Sequence, residues 1–369
     1  MESRVEGAEK RNFATMDGVR GVAALCVMFH HFTYYSATRI FPSGYLAVDI
    51  FFCLSGFVIA NSYEARLDSG LSLAGLARIR LIRLYPLYCL GLVLGLANYL
   101  LTTFVADPGN GVEQTVFVAV CGLFLLPMLQ RFTAGVGGDR TDHSLFPLNP
   151  PSWSLFVELL SNAIFAVFRP RGWTLAVTLV ALAALFVDRA RPGGWASDTV
   201  LVGLPRALLG FYLGTALRQL WGMGLLAIPS RLVILPLVLT LIVCSAPENV
   251  WWFIASALVM TPAIVSLTTA EPRSHGLRVV FGVLGEISYP VYALHMPAFG
   301  LLKLALNRTS GLALDAPPPL IASVALGAGL AAACLALARF YDRPIRRRLT
   351  ALTFAPARQL GRASPRAAS

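Results

Sequence analysis

Charge is scarce in this sequence. Only 13% of its 369 residues are Asp, Glu, Lys or Arg, about half the roughly 25% of a typical soluble domain. Acidic residues are scarcer still, 19 against 30 Lys and Arg. With 56% hydrophobic residues, so little charge cannot form a polar shell. An extramembranous enzyme, a disordered regulator and a fibrous protein are thereby excluded, and the bilayer is the solvent that fits. No CxxC pair occurs among Cys26, Cys53, Cys89, Cys121, Cys244 and Cys334, and all six lie in apolar runs. They read as small buried hydrophobes, with no zinc site and no disulfide framework. There is no GxSxG elbow, since Ser55 lies in CLSGF, and no HxxxxD, since Ser36 stands five after His31. The net charge of +11 forms no continuous basic face. Arginines sit in short clusters between apolar runs, the pattern of membrane orientation rather than of a nucleic-acid partner. No internal repeat, low-complexity segment or linker divides the chain. The first apolar run begins near Val19 and passes Phe32 without a small-residue cleavage pattern, so it reads as a span and not a signal.

Apolar runs of spanning length fall at 19–37, 44–63, 84–105, 114–130, 152–168, 172–188, 197–217, 231–247, 250–269, 279–303 and 319–341. An odd number of crossings puts the termini on opposite sides. Both ends are basic, however: Arg4, Lys10, Arg11 and Arg20 at one, and Arg339, Arg343, Arg346, Arg347, Arg348, Arg358, Arg362 and Arg366 at the other. The positive-inside tendency places both in the cytoplasm and requires an even count. The weakest run is 114–130, which contains Pro127 and precedes a Gly- and Asp-rich stretch at 133–142. Read as re-entrant or interfacial, it leaves about ten transmembrane helices in an all-α polytopic bundle. Residues 1–354 form one membrane domain, and 355–369 a basic disordered cytoplasmic tail near anionic lipid.

Polar groups in hydrocarbon are costly, so each suggests a partner or a task. In the first span Arg20 and His31 are eleven steps apart, which on a helix returns to within about 20° of the same face, roughly 16 Å along the axis. Asp17, three before Arg20, can pair with it. His30 points about 100° away and reads as structural. Asp49 lies within the second span, where Ser55-Gly56 allows close helix approach. A carboxylate near a histidine can fix its tautomer; Asp49 could equally pair with an arginine for assembly. Arg80 and Arg83 share a helical face at the cytoplasmic boundary and suit either lipid anchoring or the phosphates of a nucleotide-bearing donor. In NPPSWSLFVE, Pro150, Pro151 and Ser152 predict a helix start with Ser152 as cap, and Glu158 lies one turn beyond Ser154. Trp153 suits an interfacial belt or an acceptor pocket. Arg206 sits a third of the way into a span. Glu286, Ser288, Tyr289, Tyr292 and His295 crowd one helix that Pro290 is expected to kink, so this helix must face a polar cavity.

In chain order, DGVRG with Arg20 and His31, GYLAVDIFFCLSGF, RLIRLYP, PPSWSLFVE and LGEISYPVYALHMP resemble the integral-membrane acyltransferases of family three, which O-acylate sugars, polysaccharides, lipids and antibiotics. Met16, Leu159 and Glu286 depart from the family's more usual leucine, acidic and basic residues. The resemblance implies transfer of an acyl group, often acetyl, from cytoplasmic acyl-CoA to a hydroxyl of a sugar, glycan or glycosylated small molecule. It places the family's essential histidine at His31 and its paired arginines at Arg80 and Arg83. Trp153, Ser154, Leu155 and Glu158 take the Trp-Ser-Leu-x-x-Glu motif. The expected mechanism has His31 as general base, with Asp49 or Glu158 orienting it. Arg20, Arg80 and Arg83 bind the acyl-CoA donor; Trp153, Ser154, Arg206, Tyr292 and His295 bind the acceptor. A covalent acyl-histidine is the variant. No tightly bound cofactor and no metal are expected, membrane lipids are partners, and the oligomeric state is open. The expected location is the inner or plasma membrane. A competing reading is a proton-coupled transporter or exporter of a polar small molecule. The other large family of membrane-bound O-acyltransferases, with its Asn/His pair, is disfavoured by the first-span motif.

Overall fold

The computed structural model describes residues 13–34, 38–104, 112–129, 144–310 and 320–354. The N-terminal cluster of Arg4, Lys10 and Arg11, the stretch 133–142 and the expected tail at 355–369 lie outside the described residues. Within them the regular structure is helical, apart from an isolated antiparallel bridge between Ser144 and Ala196. The helices are α1 Ala14–Phe32, α2 Ala47–Asp68, α3 Leu73–Tyr99, α4 Val112–Leu123, α5 Ser152–Val167, α6 Gly172–Asp188, α7 Val200–Gly222, α8 Leu235–Ser245, α9 Val250–Ala255, α10 Thr261–Leu267, α11 His275–Ser310, α12 Leu320–Leu337 and α13 Arg343–Phe354. Short π-helical turns join α9 to α10 and α12 to α13.

Among the described residues six stretches are long and apolar enough to cross a membrane: Gly44–Asp68, Leu73–Thr102, Val200–Gly222, Val250–Leu267, His275–Leu306 and Leu320–Phe354. Ser152–Val167, Gly172–Asp188 and Ser230–Ser245 are shorter apolar helices. The chain is an all-α polytopic membrane bundle. The 12 residues of α4 span about 18 Å against a hydrocarbon core of about 30 Å. Pro127 lies beyond its end.

Small residues set how closely these helices pack. A Cβ on Gly56 of α2 would lie 1.8 Å from the Phe211 carbonyl of α7, and one on Gly214 of α7 would lie 1.9 Å from the Cys53 carbonyl of α2. The two helices therefore touch backbone to backbone at two points, as small residues in membrane helices allow. Likewise α1 lies along α11, with a Cβ on Gly21 falling 2.6 Å from the Leu284 carbonyl oxygen. Pro297 has no N–H to bond the carbonyl four residues back, and that carbonyl, of Ala293, accepts from the Asn149 amide at 2.9 Å. α11 continues through both Pro290 and Pro297. The cap of α5 differs from the sequence expectation: Pro151 occupies it, and Ser152 is the first helical residue.

Candidate active site

The candidate side chains collect around two cavities. The larger, about 850 Å³, is walled by His30 and His31 of α1, Trp153 of α5, Arg206 of α7 and Tyr292 and Met296 of α11, with Arg191, Glu248 and Lys303 supplying further charge. The smaller, about 80 Å³, is a cleft bounded by Arg20, Ser55, Arg80, Arg83, Ser154, Glu158, Ser288 and Tyr289. Tyr292 lines both. Its hydroxyl is 2.6 Å from Ser154 Oγ, so a hydrogen bond stands in their shared wall.

The stripe read along α1 is present. Asp17 and Arg20 approach to 3.9 Å, Arg20 reaches the cleft and His31 the larger cavity. His30 Nδ1 lies 2.9 Å from the Phe41 carbonyl and anchors the following loop. The three arginines expected to act together, Arg20, Arg80 and Arg83, converge on one space. Arg80, 3% exposed, donates to Glu158, which also accepts from Ser55 Oγ at 2.9 Å. The buried Nε of Arg80 has no partner among the described residues. Arg83 forms no ion pair with the carboxylates described.

The carboxylates are not placed where the sequence reading put them. Asp49 does not orient His31; it takes a bidentate bond from Arg206, with Nε to Oδ1 at 2.6 Å and a terminal nitrogen to Oδ2 at 2.8 Å, both residues being buried. The reason is proximity: close α2–α7 packing brings guanidinium and carboxylate together, and two such charges in hydrocarbon neutralise each other at the first opportunity. Glu158 is likewise held by Arg80 and Ser55. His31 instead finds a second imidazole. Its Nδ1 lies 2.9 Å from the Val27 carbonyl and 3.1 Å from His295 Nε2. His295 itself is 0% exposed and lies behind His31 rather than in the cavity wall, which corrects its expected acceptor contact. Arg206 does line the cavity, although most of its donors are engaged: Gly193 and Tyr45 carbonyls take bonds at 3.2 and 3.4 Å.

Sequence reading missed Ser55 as a Glu158 donor, and missed the loop residues Arg191 and Glu248. Ser55 is offset from Asp49 by six residues, so the two face different neighbours of α2. Loop residues follow no periodicity, and no signal in the sequence marked them.

The chain is similar to two proteins of known names. "Protein 2 in picA locus" of Rhizobium radiobacter is 39% identical over 185 residues, covering 46% of this chain and 89% of that one. "Exopolysaccharide production protein ExoZ" of Rhizobium meliloti (strain 1021) is 26% identical over 329 residues, covering 86% and 92%. No solved structure matches. The family described as Acyltransferase domain matches residues 13–338, which takes in both cavities and every helix that walls them, and the protein belongs to that family of membrane acyltransferases.

Proposed function

We propose that this protein moves an acyl group, acetyl in the simplest case, from cytoplasmic acyl-CoA to a hydroxyl of a sugar or polysaccharide. The observation that carries the reading is His31: one ring nitrogen is bonded inward, and the ring borders a cavity of about 850 Å³. A neutral imidazole so placed can take the acceptor's proton, a contribution of roughly 10²–10⁴-fold for a general base. The acceptor oxygen then attacks the thioester carbonyl carbon. As the tetrahedral intermediate collapses, the C–S bond breaks and the leaving thiolate takes the proton back from the imidazolium, so the histidine ends as it began.

The cleft supports a donor site. Arg20, Arg80 and Arg83 gather there, and guanidinium groups match phosphate oxygens in charge and fork geometry. At about 80 Å³, against about 850 Å³ for the larger cavity, the cleft suits an acyl arm, with the bulky nucleotide outside and its phosphates at the arginines. The thioester would meet the acceptor at Tyr292, where the two spaces share a wall. In this reading the arginine end faces the cytoplasm, with both termini on that side, about ten spans and a plasma-membrane location. The name of the ExoZ relative supports a polysaccharide acceptor. Membership of an acyltransferase family favours this reading over a proton-coupled carrier.

Purified protein given acetyl-CoA and a hydroxylic glycan is expected to release CoA thiol. His31→Ala should abolish that release while elution and melting stay those of the parent. Turnover undiminished in this variant would remove the proposal.

A further inference from the structure

We infer that His295 is the positioning residue of His31, fixing it as the tautomer that leaves Nε2 bare toward the cavity. The inference rests on His31 being the base, and it specifies which nitrogen acts and what holds it. His295 Nδ1 lies 3.0 Å from the Val291 carbonyl and 2.9 Å from that of Tyr292. Carbonyl oxygens only accept, so this nitrogen carries the hydrogen. A neutral imidazole has a single N–H, which leaves a lone pair on His295 Nε2. That lone pair lies 3.1 Å from His31 Nδ1, whose other neighbour, at 2.9 Å, is the Val27 carbonyl. Both groups facing His31 Nδ1 are therefore acceptors. Nδ1 must be the N–H, and Nε2 the free base.

The arrangement also suits the charged state. When His31 Nε2 takes a proton, Nδ1–H becomes a cationic donor to the same lone pair, and charge-assisted bonds of this kind are roughly twice as strong as neutral ones. An aspartate serves histidine in this way in hydrolase triads. Here the carboxylates are committed elsewhere, the buried Asp49 to Arg206 and the half-buried Glu158 to Arg80. The remaining ionisable neighbours are His30 on α1, which donates to Phe41; Tyr292 on α11, bonded to Ser154; and Glu248, paired with Arg39 at 3.5 Å. Arg191 and Lys303 complete the cavity wall. His30 makes a useful contrast, because its Nδ1 bonds a carbonyl but no second imidazole stands behind it.

The test compares His295→Gln, His295→Asn and His295→Met by acetyl-CoA thiol release across pH, with His31→Ala as a separate control. Gln can place an amide oxygen where Nε2 stands; Asn is too short to do so, and Met fills the volume without a strong acceptor. His295→Gln should stay within a few-fold of the parent. Asn and Met should lose roughly 10–100-fold in kcat, the range for metal-bound histidines that lose their orienting partner, with KM for acetyl-CoA unchanged. The acid limb of the Met variant should move to lower pH, because the imidazolium of His31 has lost its acceptor. Equal activity of Gln and Met variants, or an unmoved acid limb, overturns the inference. If none of the variants folds, ¹⁵N-histidine spectra of the parent decide: the signal lost in His31→Gln should be that of an Nδ1–H tautomer with a scalar coupling across the hydrogen bond to His295 Nε2, and an Nε2–H signal or the absence of that coupling overturns it. Turnover retained in His31→Ala would strike the base assignment alone, since the spectrum still reports the tautomer.

Discussion

The two cavities are built from neighbouring faces of the same helices, yet they treat charge in opposite ways. In the larger one, the buried and histidine-side charge is neutralised before any ligand arrives, and only the exposed Arg191 and Lys303 stand without an ion pair among the described residues. Arg206 is bound to Asp49, Glu248 to Arg39, and His30 and His31 both turn Nδ1 to a carbonyl. In the cleft, positive charge is left in excess: Glu158 is bonded to Arg80, Asp17 approaches Arg20 only to 3.9 Å, and Arg83 has no ion pair among the described residues. The difference follows from the tasks proposed for them. A general base works when its lone pair is free and its surroundings neither add nor withdraw protons at the working pH. A site for a polyanionic donor works when cations are held close together and left short of counter-charge, which is costly in low dielectric and is tolerated when a ligand completes it.

The largest expected effect tests whether the buried pair in the larger cavity is architecture. Asp49→Asn leaves Arg206 uncompensated within the bundle and should cost about 3–5 kcal/mol of stability, read as a large fall in melting temperature in detergent. Replacing both partners, Asp49→Leu with Arg206→Met, should recover much of that loss, since apolar side chains of similar volume often match a buried ion pair. A single variant that melts normally but is inactive would instead move the pair into the chemistry and erase the contrast between the cavities.

The next effect separates two arginines three residues apart. Arg83 has no carboxylate bonded to it, so Arg83→Ala should leave melting unchanged and raise KM for acetyl-CoA about 10–100-fold, the equivalent of one charge-assisted bond of about 1.5–3 kcal/mol. Arg80→Ala leaves Glu158 with Ser55 as its remaining partner and no counter-charge, and should lower both stability and donor affinity. If the two variants behave alike in melting and KM, the cleft does not divide its arginines between scaffold and donor.

How far the sequence foretold all this depends on the kind of contact. Helical period alone puts Arg20 and His31 on one stripe and Arg80 and Arg83 on one face of another helix; that the two meet at the cleft is a finding of the structure. Both groupings survive because they are properties of a single helix. Ser154 and Tyr292 were both singled out as acceptor residues. Their mutual hydrogen bond was not legible, since it joins α5 to α11 across 138 positions. The partner of His31 was mistaken for the same reason. A carboxylate is the commoner companion of a histidine, and nothing along the chain says that Asp49 meets Arg206 first. His295 was recognised as unusual, but its depth behind the cavity wall depends on how closely α1 lies against α11. The loop carrying Arg191, and the turn carrying Glu248, left no periodic trace at all.

The smallest expected effect bears on the wall between the cavities. Tyr292→Phe removes the hydroxyl that lies 2.6 Å from Ser154 Oγ. Ser154 keeps the Pro151 carbonyl at 3.1 Å as a partner, so no buried donor is orphaned. The loss should be that of one neutral hydrogen bond, about 0.5–1.5 kcal/mol, with melting close to the parent. What should change is the separation of the two spaces. Without that bond the ring is freer to swing, and water from the larger cavity gains access to a thioester seated in the cleft. Acetyl-CoA hydrolysis in the absence of acceptor, in which water attacks the carbonyl and releases acetate and CoA thiol, is expected to rise a few-fold relative to glycan transfer. Tyr292→Ala, which removes the ring itself, should raise it further. An unchanged ratio in both variants would mean that the thioester does not pass Tyr292, and that donor and acceptor meet by a route that bypasses the wall these cavities share.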